Sequence, residues 1–161
     1  MRRHQIKLKR AKELIRRSSE HFAVDVPKLT RAESVELDGM ELLVANDVPM
    51  ILVNHQSDLY IPFLGAVGDQ ASCPSVTVDM GAVPYVVNGA DVMVPGIVAT
   101  DDFGEGDVVC IKTEKHQKII AVGRAIKSSE EIRRSRGGKG IENLHYIGDR
   151  YWNGVNELFP R

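Results

Sequence analysis

No apolar run in this chain approaches the ~20 residues that a membrane-crossing helix requires, so no membrane partner is expected. The opening residues, Met1-Arg-Arg-His-Gln-Ile-Lys-Leu-Lys-Arg10, lack the apolar stretch of a secretory signal, and the expected location is cytoplasmic. Cysteine is scarce, with Cys73 and Cys110 the only two. Neither has a second Cys or a His at metal-ligand spacing, which argues against a zinc knuckle and leaves two thiols in a reducing compartment as the simple expectation. Internal repeats and low-complexity tracts are missing. The most telling absence is of positive charge: between Arg31 and Lys112 there is no Lys or Arg at all, while Asp and Glu recur.

The cations are gathered at the two ends. One group is Arg2, Arg3, Lys7, Lys9, Arg10, Lys12, Arg16 and Arg17; the other runs from Lys112 through Arg124, Lys127, Arg133, Arg134, Arg136 and Lys139. A net charge of −1 therefore hides a segregated molecule. Charge runs are commonly no more than solvated faces, but two basic segments flanking an acidic middle favour docking on phosphate. With 43% hydrophobic and 27% charged residues the chain can fill one large or two small cores.

Spacing of Leu8, Ala11, Ile15 and Phe22 predicts an amphipathic first helix carrying the basic residues from Arg2 to Arg17 and ended by Pro27. Ser34 to Leu37 and Met40 to Ala45 flank Asp38-Gly39 as a hairpin, and Met50 to Val53 forms a third strand. Ser57-Asp58 is expected to cap a short helix through Leu64. Small and polar residues from Gly68 to Pro74 mark a boundary. Beyond it the strands are short and punctuated by Gly, Pro and Asp, as in a small barrel. The expected class is α+β, an α/β module over residues 1–72 followed by a pseudo-barrel of mixed β-strands with short helices over 73–155.

No spacing of Asp79, Cys110, His55, His116 or His145 forms a nucleophile elbow, phosphate loop or metal cluster, so no catalysis, cofactor or metal is expected. His145 reads as a core histidine with a satisfied hydrogen bond, Asp79 as a cap of a short helix, and Cys110 as a small core residue. The most informative stretch is Val76 to Ile97. Two apolar runs bracket a segment opened by Gly81-Ala82 and closed by Asn88-Gly89, too short for an ordinary helix. Gly81 and Ala82 carry almost no side chain, so another molecule can approach the helix start, where free N–H groups favour phosphate. Gly89 supplies a left-handed stop. Val92, Met93 and Val94 then read as a buried run ended by Pro95-Gly96.

This stretch resembles a PUA domain, a small RNA-binding barrel. Gly106 to Cys110, Ala121 to Ile132 and Gly138 to Trp152 resemble further parts of it. The last segment is similar to the closing strand of the malignant T-cell-amplified sequence proteins and their archaeal relatives, which join a PUA domain to an N-terminal pre-PUA module; here these would be residues 73–155 and 1–72. Shorter loops and the Met80 and Pro84-Tyr85 variant point to the archaeal branch. The resemblance implies RNA in a groove beside the short helix, with Gly81 and Ala82 allowing close approach, Met93, Pro95 and Gly96 forming the wall, and Arg124 and Lys127 on phosphates. Tyr85 reads either as a stacking platform for a base or as a barrel-cap core residue. Met80 stands where such relatives often carry a Lys, so a cation is missing and binding falls more to Arg10, Arg16 and Arg17 and to Arg133, Arg134, Arg136 and Lys139, the last four in a run expected to be flexible.

The implied role is translation, on rRNA of the small ribosomal subunit or a tRNA acceptor end. Eukaryotic members of that family pair with density-regulated protein or exist fused as ligatin, so a separate SUI1-domain protein is the expected protein partner. A ribosome-biogenesis factor, a tRNA-binding subunit of a modifying enzyme and a protein-interaction scaffold are the other readings.

Overall fold

The computed structural model describes residues 2–160 and opens with a strand, β1 (Arg2–Gln5), before the first helix, α1 (Leu8–Ser18). The helix was expected to include Arg2 and Arg3; instead these residues pair in a strand, Arg2 opposite Glu36 and Arg3 opposite Val35. Its buried stripe is Ala11, Leu14 and Ser18, and it stops well before Pro27. Phe22 is buried beyond the helix end, and Ala23–Val24 forms a short strand, β2.

Two left-handed turns organise the next segment. Asp38 and Gly39 have φ of +50° and +82°, Asn46 and Asp47 of +50° and +66°, the paired positive values that tight two-residue hairpins require. They connect β3 (Ala32–Leu37), β4 (Met40–Ala45) and β5 (Val48–Asn54). The helix expected from Ser57 to Leu64 is a strand, β6 (Leu59–Pro62), because Leu59, Tyr60 and Ile61 pair with β5 at Asn54, Val53 and Leu52. Pro62 closes it, a position where a strand tolerates a missing N–H. The sheet order is β1-β3-β4-β5-β6, all antiparallel. Its core holds Val35, Leu42, Leu43, Ile51, Leu52, Val53 and Ile61, all buried. A two-residue strand, β7 (Ala71–Ser72), pairs with β2.

Two compact units result: Met1–Ser72 together with Asn153–Arg161, and Cys73–Trp152 between them in sequence. The second unit contains β8 (Ser75–Val78), α2 (Val83–Val86), β9 (Val92–Met93), β10 (Ile97–Thr100), β11 (Val108–Thr113), β12 (Ile119–Ala125), α3 (Ser129–Arg134) and β13 (Lys139–Tyr146); α4 (Arg150–Leu158) carries the chain out of it. The six strands run in the order β10-β8-β11-β12-β13-β9, with only β8 and β11 parallel, and form a nearly closed pseudo-barrel. Val76, Val78, Val109, Ile111, Ile120 and Ile141 fill it. At Gly123 the ladder to β13 shifts register, and a Cβ there would strike the Glu142 carbonyl and come within 2.5 Å of Ile141 Cγ2.

The expectation of two free thiols fails. Cys73 and Cys110 form a disulfide with Cα atoms 6.0 Å apart across a sequence separation of 37. A tertiary approach joins the entrance of the barrel to its buried strand β11, which spacing alone could not show. Closing a loop of that length removes unfolded-state entropy worth about 4 kcal/mol. Cys110 does lie in the core, but as half of a bridge.

Candidate nucleic-acid interface

The segment from Val76 to Ile97 folds as strand, single helical turn and strand, with Gly89 at φ +94°. One N–H group at its start is already engaged. Asp79 Oδ1 accepts the Ala82 N–H at 2.9 Å, Pro84 has no N–H to offer, and the carboxylate therefore serves as the cap predicted for it. Asp79 N–H donates to the Gly96 carbonyl at 2.9 Å, which draws the Pro95-Gly96 turn against the helix start. Only glycine fits that turn without displacement, since a Cβ on Gly96 would sit 3.3 Å from Ala82 Cβ.

Beside this helix lies a groove of about 550 Å³. Gly81, Ala82, Tyr85, Met93, Pro95, Gly96 and Lys139, all singled out from sequence, line it together with Asp79 and Asp91. Tyr85 is 69% exposed and Met93 47%. The core reading of Tyr85 is thus excluded, and the buried run Val92 to Val94 is interrupted: Val92 and Val94 point into the core while Met93 between them faces out, as strand alternation demands. Lys139 Nζ lies 3.1 Å from Asp91 Oδ2. Burial opposes ionisation of Asp91, but the Asn143 N–H and the Lys139 ammonium outweigh it and hold its carboxyl below the usual range.

Sequence reasoning missed Asn143, which fixes the groove from behind. Its Nδ2 donates to the carbonyls of Val86 and Ala90, both at 3.0 Å, and its N–H donates to Asp91 Oδ1 at 2.9 Å. These partners stand more than fifty residues away in sequence, so no local signal marks it.

The remaining predicted cations are elsewhere and mostly engaged. Arg124 pairs with Glu142 at 2.7 Å. Lys127 Nζ donates to Ser135 Oγ at 3.1 Å and the Gly137 carbonyl at 2.9 Å, holding the turn after α3. Arg133 donates to Asp102 Oδ1 at 2.9 Å and to the Thr100 carbonyl at 3.2 Å, and Arg134 lies 3.7 Å from Glu130. Both belong to α3 rather than to a flexible run, because Ser128 caps that helix by accepting the Glu131 N–H. Arg136 is exposed in the following turn. In the first unit Arg10 binds Glu41 at 2.6 Å, Arg16 binds Glu13 at 2.7 Å, and Arg17 shares Glu13 at 3.1 Å. Glu41 is the centre of a cluster: burial raises its pKa, but hydrogen bonds from Arg10, Ser34 and His55 bring it down to about 2.

His145 is fully buried, with Nδ1 2.7 Å from Asp149 Oδ2, as a core histidine should be. Asp149 also accepts the N–H groups of Tyr146 and Trp152, at 2.9 and 2.8 Å, and so starts α4. No cluster of three or more metal-ligating side chains occurs among the described residues.

The PUA domain family matches residues 74–147, the span that builds the groove. An uncharacterized protein of Methanocaldococcus jannaschii is 39% identical over 132 residues, covering 80% of this chain and 79% of that protein. Translation machinery-associated protein 20 of Schizosaccharomyces pombe is 30% identical over 141 residues, covering 82% of this chain and 76% of its own length. The crystal structure of a hypothetical protein from Pyrococcus horikoshii superposes with a TM-score of 0.81 at 31% identity, covering 95% of this chain and 99% of that one. With both its barrel and most of its length matched in this way, the chain belongs to the family of PUA-domain proteins that includes translation machinery-associated protein 20 and the malignant T-cell-amplified sequence proteins.

Proposed function

We propose that this chain is a non-catalytic RNA-binding protein of the translation machinery, and that unpaired RNA bases occupy the groove beside α2. The carrying observation is the pairing of two exposed apolar side chains, Tyr85 and Met93, with a wall of nearly bare backbone at Gly81, Ala82 and Gly96. A base stacked on such a surface gains ~1–3 kcal/mol without sequence readout. Family membership supports translation as the setting, since relatives are named as translation machinery-associated proteins. The finer reading is action on the small ribosomal subunit and the tRNA acceptor end in the cytoplasm, with the first unit as a pre-PUA module and a separate SUI1-domain protein as partner.

Crosslinking in cells followed by sequencing of the bound RNA tests this. Reads concentrated on small-subunit rRNA, with tRNA 3′ ends alongside, are the expected result. Reads on tRNA alone would replace it with a tRNA-modification subunit, and no enrichment of any RNA would overturn RNA binding.

A further inference from the structure

A second recess adjoins the groove and differs from it in charge. It is about 650 Å³ and lies along the seam where the pseudo-barrel stays open, between the outer edge of β10 and the segment from α3 to Arg136. The groove holds two carboxylates, Asp79 and Asp91, and one cation, Lys139, already paired with Asp91. The seam has no carboxylate in its lining and two guanidinium groups, Arg133 and Arg136. Arg133 is anchored to Asp102 and to the Thr100 and Asp101 carbonyls. Arg136 is exposed, and no hydrogen bond or ion pair engages it among the described residues. Thr100 Oγ1, in the same lining, is buried without a hydrogen-bond partner, a polar group left unspent. Pro95 lines both recesses, so they are neighbours on the surface.

Apolar walls with net negative charge suit bases and repel phosphates; a basic recess with no carboxylate does the reverse. We infer that the seam is a phosphate-binding subsite, in which Arg136 engages the backbone of the same RNA strand whose bases lie in the neighbouring groove. The inference rests on the groove reading above and divides its labour: Tyr85 and Met93 hold bases, Arg136 holds a phosphodiester. The exposed Val98, 50% accessible on β10, adds an apolar surface within the seam for the ribose. Arg124 and Lys127, the phosphate contacts expected from sequence, are occupied by Glu142 and by the α3 turn, which leaves this role to Arg136.

The test is binding of a fluorescent single-stranded RNA oligonucleotide by the full chain over a salt series, for the wild type, Arg136→Gln and Tyr85→Ala. Arg136→Gln is expected to weaken binding about tenfold at low salt, as loss of a charge-assisted contact does, and to flatten the slope of log affinity against log salt by about 0.7. Tyr85→Ala weakens binding with the slope unchanged. Both variants keep the wild-type melting temperature. An uncharged methylphosphonate linkage walked along the RNA should reveal one position where the wild type loses affinity and Arg136→Gln loses no more. If Arg136→Gln binds as the wild type does while Tyr85→Ala is weakened, the seam proposal is overturned and the groove reading stands. Weakening with an unchanged salt slope, or without a matching linkage, also overturns it. If the wild type binds no single-stranded RNA, the groove reading falls and the seam proposal with it. Arg136-dependent binding of an oligoglutamate peptide without RNA binding would assign the seam to a protein partner instead.

Discussion

In the first unit Arg3, Arg10, Arg16, Arg17 and Arg31 each lie against a carboxylate, and no large hydrophobic side chain is exposed among the described residues. In the second unit Met80, Tyr85, Met93, Val98 and Ile126 are all exposed, and Arg136 has no partner among the described residues. Composition alone assigns both regions a basic stretch of similar size. What separates them is the apolar area that accompanies the charge, absent from the described surface of the first unit and present on the second, and the pairing of the arginines. Exposed ion pairs contribute only ~0–1 kcal/mol each, so the first unit rests on its buried sheet; these five arginines are answered within the unit, while Lys7, Lys9, Lys12 and Lys28 enter no ion pair among the described residues. The second leaves apolar area and one cation unspent at the seam and the groove, the surface signature of a binding face.

The comparison is tested most severely by Gly123→Val, which drives a branched side chain into the Glu142 backbone. Overpacking against backbone should cost ~3 kcal/mol, the upper end of what such insertions typically cost, and unfold the barrel, seen as loss of native Trp152 fluorescence, while amide protection in β4 and β5 persists. Joint loss of protection would show that the units do not fold separately. Reducing the Cys73–Cys110 bridge should lower barrel stability by about 2–4 kcal/mol in denaturant titrations, again without moving the first unit, and the Cys73→Ser/Cys110→Ser double variant should match the reduced protein.

Acid should act on the first unit through Glu41. Its folded pKa, about 2, lies below the ordinary 4.5; the stability it contributes is therefore fully present above the ordinary value and is lost as pH falls from there towards 2. Glu41→Gln should flatten that part of the acid-unfolding curve, followed by circular dichroism. Tyr85→Ala should cost ~1–3 kcal/mol in RNA binding and less than ~0.5 kcal/mol in folding. Smallest of all, Arg16→Gln with Arg17→Gln should change RNA affinity by less than about threefold in the same titration, since both guanidiniums already sit on Glu13. A tenfold loss would restore the basic helix as a binding surface and erase the contrast between the units.

What the chain revealed beforehand follows the range of the interaction. The Asp38-Gly39 hairpin and the Gly89 stop were legible because adjacent residues decide them. Strand β1 was not, because four exposed polar residues become a strand only through pairing with β3. The helix expected after Ser57 lost to pairing with β5 for the same reason. The groove lining was largely legible, since one short segment, Asp79 to Gly96, supplies most of it. The state of the cations was not: whether Lys127 or Arg136 is free depends on which carbonyls the folded α3 turn presents. The disulfide and Asn143 belong to the same class of long-range fact.

The discontinuity of the first unit bears on how the molecule is made. Its strands occupy the start of the chain, yet it also includes Asn153 onward, with Val155 buried and the Arg3 guanidinium 4.4 Å above the Phe159 ring. The barrel is contiguous from Cys73 to Trp152. The first unit is therefore closed by residues synthesised after every strand of the barrel, the last of which ends at Tyr146. Completion of the first unit thus cannot precede synthesis of the second, and a simple amino-to-carboxyl order of domain folding during synthesis does not hold for this chain.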